Sequence, residues 1–204
     1  YLLGGLWSFL LGIPFRIMSR RSLNFYQKKH PLGAWLERYL HKTVDVLLGN
    51  SEAIIRDLEK ESTNSNARIE LIYNGIDPKE FVEKQKPDDV RQELNIPDQA
   101  LVFINVANFI PYKGHKDLLE ALGQVKNKLP DPWRLICVGR NDGILSNLEQ
   151  NASRLGISQN VIWLSPRRDI CDLMKASDIG ISSSHEEGLS NSVLEGCLLY
   201  TSDA

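Results

Sequence analysis

Cysteine is scarce in this chain and unpatterned. Its 204 residues hold three, Cys137, Cys171 and Cys197. The number is odd and no pair has Cys-x-x-Cys spacing, so neither a disulfide framework nor a zinc ribbon is indicated, and a reducing compartment fits best. Long apolar runs are also missing. YLLGGLWSFLLGI, residues 1–13, falls short of the ~20 residues that a membrane-spanning helix needs. It has neither the basic leader nor the cleavage site of a signal peptide. It is expected to be a buried or interfacial helix from the middle of a longer protein. No Gly-x-Gly-x-x-Gly follows a strand-like run, which counts against a dinucleotide-dependent dehydrogenase. Net charge is only −2, so no nucleic-acid partner is expected. Internal repeats and low-complexity tracts are lacking.

What is present is globular: 42% of residues are hydrophobic and 25% charged. The charge is uneven. Residues 1–60 hold nine Lys and Arg against five Asp and Glu, whereas residues 61–204 hold fifteen against twenty-one. Such a basic first segment either faces an anionic partner or is a solvated face. Strand-like runs fall at 14–19, 44–49, 68–72, 101–106, 134–138, 161–164 and 178–182. Most are short, β-branched and nearly continuous in apolar residues, the pattern of strands covered on both faces. Helical spacing fills 32–42, 51–60, 114–129, 147–155 and 170–175. Strands alternating with helices predict α/β architecture with mainly parallel sheets. The alternation breaks at 73–97, where an Asn-Gly turn signal leads into a charged stretch without a strand. The expected organisation is a first domain over 1–76, a crossover over 77–97 and a second domain over 98–204.

Two segments carry chemistry. In NVANFIPYKGHKDLLEAL, residues 105–122, a strand ends, a short loop holds Lys113 and Gly114, and a helix follows. Ligands of parallel α/β sheets sit at the carboxyl ends of strands. Glycine lets the backbone approach a phosphate there, and lysine adds a mobile positive charge. His115 reads as a plain helix-start residue. In SSSHEEGLSNSVLEG, residues 182–196, a Ser- and Gly-rich turn precedes a helix whose free amides suit a diphosphate. Glu187 and Glu195 flank that turn, and ionised carboxylates accept hydrogen bonds from sugar hydroxyls. Glu195 has a structural alternative, because Ser192-x-x-Glu195 is also capping-box spacing. For Glu187 and His185 the alternative is a solvated loop.

Taken together, these residues resemble the donor domain of the large retaining glycosyltransferase family 4, of the two-Rossmann (GT-B) fold. EEGLSNSVLEG matches that family's Glu-x7-Glu motif at Glu187 and Glu195. VANFIPYKGHKDLLEA matches its donor motif at Lys113 and Gly114. ELIYNGIDPKEF resembles its interdomain segment, and VIWLSPRRDICDLMKASDIGISSS the stretch where the base binds. The resemblance spans about residues 14–196. It implies a partial N-terminal Rossmann-like half and most of a C-terminal donor domain. It also implies transfer of a hexose from a nucleoside-diphosphate sugar to a hydroxyl of a glycan or lipid-linked acceptor, with retention, in cell-surface polysaccharide or glycolipid synthesis. Lys113 and Glu187 would be the catalytic pair, Lys113 on the diphosphate. Glu195 would hold the ribose. Glu187, with the backbone of Gly188, Leu189, Ser190 and Asn191, would face the donor sugar and phosphate. Residues 165–167, Arg167 among them, would line the base pocket. The nucleotide sugar is a co-substrate, so no cofactor is implied, and without an Asp-x-Asp no metal is implied. A nucleotide-sugar epimerase and a non-catalytic nucleotide- or glycan-binding module are the alternatives.

Three departures from the family pattern stand out. Asn108 occupies the position, five before the lysine, where many members have arginine. The first strand ends in Ser19-Arg20-Arg21 rather than a cleft histidine; Arg20 and Arg21 either bind an anionic acceptor or phosphate, or are surface charge. The tail CLLYTSDA, residues 197–204, is unlike the family's continuation and is expected to be a truncated or altered gene end. The 204-residue piece is therefore expected to be inactive by itself. The parent is expected in the cytoplasm. Trp7, Phe9, Phe15, Phe25 and Tyr26, interleaved with Arg16, Arg20, Arg21, Lys28 and Lys29, predict peripheral contact with the inner, anionic membrane face.

Overall fold

The computed structural model describes residues 2–23, 31–63, 65–81 and 84–201. The chain divides into two compact units. The first comprises Tyr1–Gly75 with Glu186–Ser190, the second Ile76–His185 with Asn191–Ala204.

In the first unit, helix α1 (Leu2–Leu10) leads to strand β1 (Ile17–Arg20), helix α2 (Pro31–His41), strand β2 (Val46–Gly49), helix α3 (Glu52–Glu61) and strand β3 (Arg68–Leu71). The strands form a parallel sheet in the order β1-β2-β3, with Ile17 opposite Val46 and Val46 opposite Arg68. The first strand begins three residues later than expected. Arg16 is not in it: its amide is held by the Asp45 carboxylate at 2.7 Å. Helix α3 starts as the sequence predicts, with Ser51 at the N-cap accepting from the Ile54 amide. Met18, Leu40, Leu47, Ile54 and Leu58 make the core.

The second unit adds helix α4 (Pro87–Glu93), strand β4 (Leu101–Val106), helix α5 (His115–Val125), strand β5 (Trp133–Val138), helix α6 (Leu145–Arg154), strand β6 (Val161–Leu164), helix α7 (Ile170–Lys175), strand β7 (Ile179–Gly180) and helix α8 (Asn191–Thr201). Its parallel sheet runs β6-β5-β4-β7. Alternation along β4 and β5 feeds two cores. Val102, Ile104, Ile136 and Val138 face Leu173 and Met174, while Phe103, Leu135 and Cys137 face Leu119, Leu122 and Leu148. Coverage on both faces is why LVFINV is apolar at every position but Asn105.

Two elements depart from expectation. The predicted strand at 178–182 shrinks to β7. Asp178 instead uses its carboxylate to accept from the Val102 amide at 2.7 Å and its own amide to donate to the Val102 carbonyl at 2.8 Å. The charged crossover contains α4, with Pro87 at its first position, Asp88 and Asp89 in its first turn and Val90 buried. That is a regular helix start, hidden in the sequence by a lone apolar anchor. No helix among the described residues is long and apolar enough to cross a membrane.

Candidate functional site

In the second unit the candidate phosphate loop leaves β4, makes a 3₁₀ turn over Pro111–Lys113 and enters α5 through Gly114, whose φ is +69°. That left-handed geometry suits glycine. Space demands glycine as well: a β-carbon on Gly114 would lie 1.9 Å from the Ser183 carbonyl oxygen. Two hydrogen bonds join the same segments. Ser183 Oγ donates to the Lys113 carbonyl at 2.9 Å, and the His185 amide donates to the Tyr112 carbonyl at 2.8 Å. His185 Nε2 also pairs with Asp117 at 2.6 Å. The loop carrying Lys113 and the exit of β7 are thus one interlocked substructure. Lys113 Nζ stands 5.4 Å from the centroid of the Tyr112 ring.

Asn108 Oδ1 accepts from the Arg140 amide at 3.1 Å, so its side chain joins the exits of β4 and β5. This brings in a cation that the sequence did not single out. The Arg140 side chain is exposed and paired with Asp142 at 2.9 Å. Its only sequence signal is its place just after β5.

Glu195 lies in α8, half-buried, and burial pushes its carboxyl pKa up. The helix begins at Asn191, with Ser192 in its first turn. Arg167 is committed elsewhere. Its guanidinium bonds Asp169 through Nε at 2.8 Å and Glu93 through Nη1 at 2.7 Å, and Arg167 holds the Asp169 carboxyl below its usual range. His115 is 1% exposed and edge-on to Phe109 at 5.1 Å, beside the Ala107 backbone. Burial lowers its pKa to about 4, so the ring is a neutral core member. A cavity of about 380 Å³ against β4, β7 and α8 is lined by Ile104, Ile179 and Val193 together with Asp178, Ser182 and Ser192, but by neither Lys113 nor Glu195.

In the first unit Arg20 and Arg21 diverge. Arg20 is 6% exposed, its Nη2 bonded to Glu61 at 2.6 Å and to Glu37. Burial would raise the Glu37 carboxyl, but His41 and Arg20 hold it below its ordinary range. His41 Nδ1 in turn meets Ser62 Oγ at 2.9 Å. A guanidinium so enclosed is not displayed to an acceptor; this corrects the pairing of Arg20 with Arg21 as surface cations. Arg21 is exposed and donates from Nη2 to Asn74 Oδ1 at 3.1 Å.

The segment holding Glu187, Gly188, Leu189 and Ser190 belongs to this first unit. A β-carbon on Gly188 would lie 2.5 Å from Ile54 Cδ1, 2.6 Å from Asn50 Oδ1 and 2.8 Å from the Arg21 carbonyl oxygen. Asn74 Nδ2 donates to the Leu189 carbonyl at 3.2 Å. Asn191 opens α8 in the second unit.

Trp7, Phe9, Phe15, Trp35 and Tyr39 are exposed on the first unit, with the Arg16 guanidinium 5.6 Å over the Phe9 ring. Phe25, Tyr26, Lys28 and Lys29 lie outside the described residues. Among the described residues, no three His, Cys, Asp or Glu side chains cluster as metal ligands.

Comparison with known proteins places this geometry. Residues 87–199 match the profile of "Glycosyl transferases group 1", and residues 5–80 that of "Glycosyltransferase Family 4". The D-inositol 3-phosphate glycosyltransferase of Corynebacterium urealyticum is 31% identical over 168 residues, 78% of this chain and 40% of that protein. The lipopolysaccharide glucosyltransferase WaaG of Escherichia coli K12 is 27% identical over 144 residues, 69% of this chain and 38% of that protein. The chain thus spans less than half the length of these relatives. The crystal structure of Anabaena HepE in complex with UDP-glucose superposes with a TM-score of 0.84 at 24% identity, covering 97% of this chain and 55% of that one. The shared fold is GT-B.

Proposed function

As the chain belongs to the group 1 glycosyl transferases, we propose that its parent protein moves a hexose from a nucleoside-diphosphate sugar to a hydroxyl of a glycan or lipid-linked acceptor, with retention at the anomeric carbon. The observation that carries this reading is the interlock of the two motif segments in the second unit, Gly114 against Ser183 and Lys113 bonded to Ser183. A lysine loop held this rigidly is preorganised, and preorganised charge is what stabilises a leaving diphosphate. As the bond from the anomeric carbon to the phosphate oxygen breaks, its electron pair stays on the diphosphate. Lys113 and the backbone amides at the start of α8 meet that charge. Glu195 accepts hydrogen bonds from the ribose. Glu187, with the backbone of 188–191, faces the sugar.

Asn108 contributes a hydrogen-bonding amide where many relatives carry a cation. Arg167, already holding two carboxylates, is weaker support for the base pocket. The lipopolysaccharide glucosyltransferase among the relatives supports a cell-surface glycan or glycolipid as product. We further propose that the parent works in the cytoplasm with its first unit against an anionic membrane, on the strength of the exposed aromatic residues and Arg16.

The test is a transfer assay of the full-length parent against UDP- and GDP-linked hexoses, with the product's anomeric configuration read by NMR. Transfer with retention is expected. Isomerisation of the nucleotide sugar without an acceptor, or binding without transfer, would replace this reading with another.

A further inference from the structure

Asn74 has the chemistry of a clamp. Its amide makes three bonds at once. Oδ1 accepts from Arg21 Nη2 at 3.1 Å and from Asn50 Nδ2 at 3.3 Å, while Nδ2 donates to the Leu189 carbonyl at 3.2 Å. Two donors face the oxygen and one carbonyl faces the nitrogen, so a single amide orientation satisfies all three. No other side chain type of this size offers an acceptor and a donor from one planar group.

The neighbouring residue of the turn is fixed by shape. Gly188 fills a slot formed by Ile54, Asn50 and the Arg21 carbonyl, too tight for a β-carbon. Asn50 is 5% exposed and its Oδ1 has no hydrogen-bond partner. That oxygen faces the Gly188 backbone, where a buried acceptor is tolerated against a Cα–H and little else. The 188–189 turn is therefore held twice, by close contact at Gly188 and by a hydrogen bond at Leu189. All of these groups lie in one compact unit.

We propose that Asn74 is a positioning residue for the transfer reaction: with Asn50 and Arg21 it fixes the 188–189 turn and so sets where the Glu187 carboxylate stands. The inference rests on the reading of Glu187 as a residue that faces the donor sugar. Asn74 touches no reacting atom. It acts through the turn, and its effect belongs in turnover rather than in nucleotide affinity.

Asn74→Asp is the sharpest variant, being nearly isosteric. It keeps the acceptor for Arg21 but replaces the donor to Leu189 with an oxygen that repels the carbonyl. In the full-length parent, with the sugar nucleotide that supports transfer, N74D should lower kcat roughly tenfold, the scale of one hydrogen bond turned into a repulsion. UDP affinity by calorimetry and the thermal midpoint should stay near the parent's. Combined with Glu187→Ala, N74D should add less than twofold, because the group it positions is gone.

The outcomes separate. If E187A itself leaves kcat within twofold, the reading of Glu187 fails and the clamp falls with it. If E187A slows transfer but N74D does not, only the clamp fails. If N74D weakens UDP and kcat equally, or multiplies fully with E187A, Asn74 is a general structural residue and the proposal is overturned. Should N74D not fold, Asn74→Ala and Asn50→Ala carry the same comparison: a loss in kcat without loss of UDP affinity supports the clamp, and an unchanged kcat removes it.

Discussion

Gly114 and Ser183 touch so closely that the Ser183 carbonyl oxygen occupies the place a side chain on residue 114 would need, 1.9 Å from a β-carbon. The contact makes the lysine loop and the exit of β7 one object, and Gly114→Ala is the substitution that pulls them apart. The left-handed backbone alone costs about 1–2 kcal/mol for a residue with a β-carbon, and the clash forces a shift besides. G114A in the parent is expected to lower the thermal midpoint and to weaken UDP at least tenfold by calorimetry. Unchanged UDP affinity would detach this loop from the nucleotide.

Lys113→Ala should weaken UDP and slow transfer further, because charge on the leaving diphosphate grows towards the transition state. A charge-assisted contact of about 1.5–3 kcal/mol corresponds to a loss of roughly ten- to hundredfold in rate. Calorimetry with UDP, GDP and pyrophosphate beside initial rates decides it. Affinity and rate both within twofold of the parent would make Lys113 a surface lysine.

Glu195→Gln should discriminate by ligand, weakening nucleotides with an intact ribose while sparing pyrophosphate. It should also alter stability. Burial raises the Glu195 pKa in the folded chain, so its favourable contribution is complete below the ordinary carboxylate range and is lost as pH rises through the raised value. Gln mimics the protonated acid, and E195Q should be the more stable protein at neutral pH. Urea midpoints at pH 4 and pH 7 measure the difference; a parent that outlasts E195Q at pH 7 contradicts this.

His115 acts with the opposite sign. Its pKa falls to about 4 on folding, so the unfolded chain takes up a proton first as pH drops below its ordinary value of about 6.5. Stability is whole above that value and erodes between there and pH 4, by about 2 kcal/mol at pH 5. His115→Leu, which offers the pocket beside Phe109 an apolar side chain, should flatten this slope. Denaturant unfolding at pH 7 and pH 5 shows it, and equal slopes in both proteins would refute it.

For the first unit, vesicle sedimentation of the parent should show binding to anionic vesicles and less to neutral ones, with Trp7→Ala weakening it. Equal binding to both, or none, removes the membrane proposal.

The architecture was legible where physics is local. LVFINV at 101–106 announced a strand covered on both faces, and the Ser51 cap and the start of α7 followed from short-range patterns. Helix α4 was missed because its hydrophobic signal is essentially Val90. At the site, Lys113 and Gly114 could be picked out because a glycine after a strand carries its own reason. Arg20 and Arg21 could not be told apart, since what buries Arg20 is a pair of carboxylates 17 and 41 residues away. The grip of Asn74 on Leu189 spans 115 residues of sequence, and no spacing rule reaches that far.

That long reach bears on the order in which the chain can fold as it is synthesised. A ribosome delivers 1–75 before 76–185, so the slot made by Ile54, Asn50 and Arg21 stays without its plug until Gly188 has emerged. The early part can form its sheet and close its core on Leu47 and Leu58. Its contacts with Gly188 and Leu189 must wait, and the loop to be closed is long, which slows the step more than it weakens the result. The last piece of the first unit to settle is thus contributed by a segment made after the whole of 76–185.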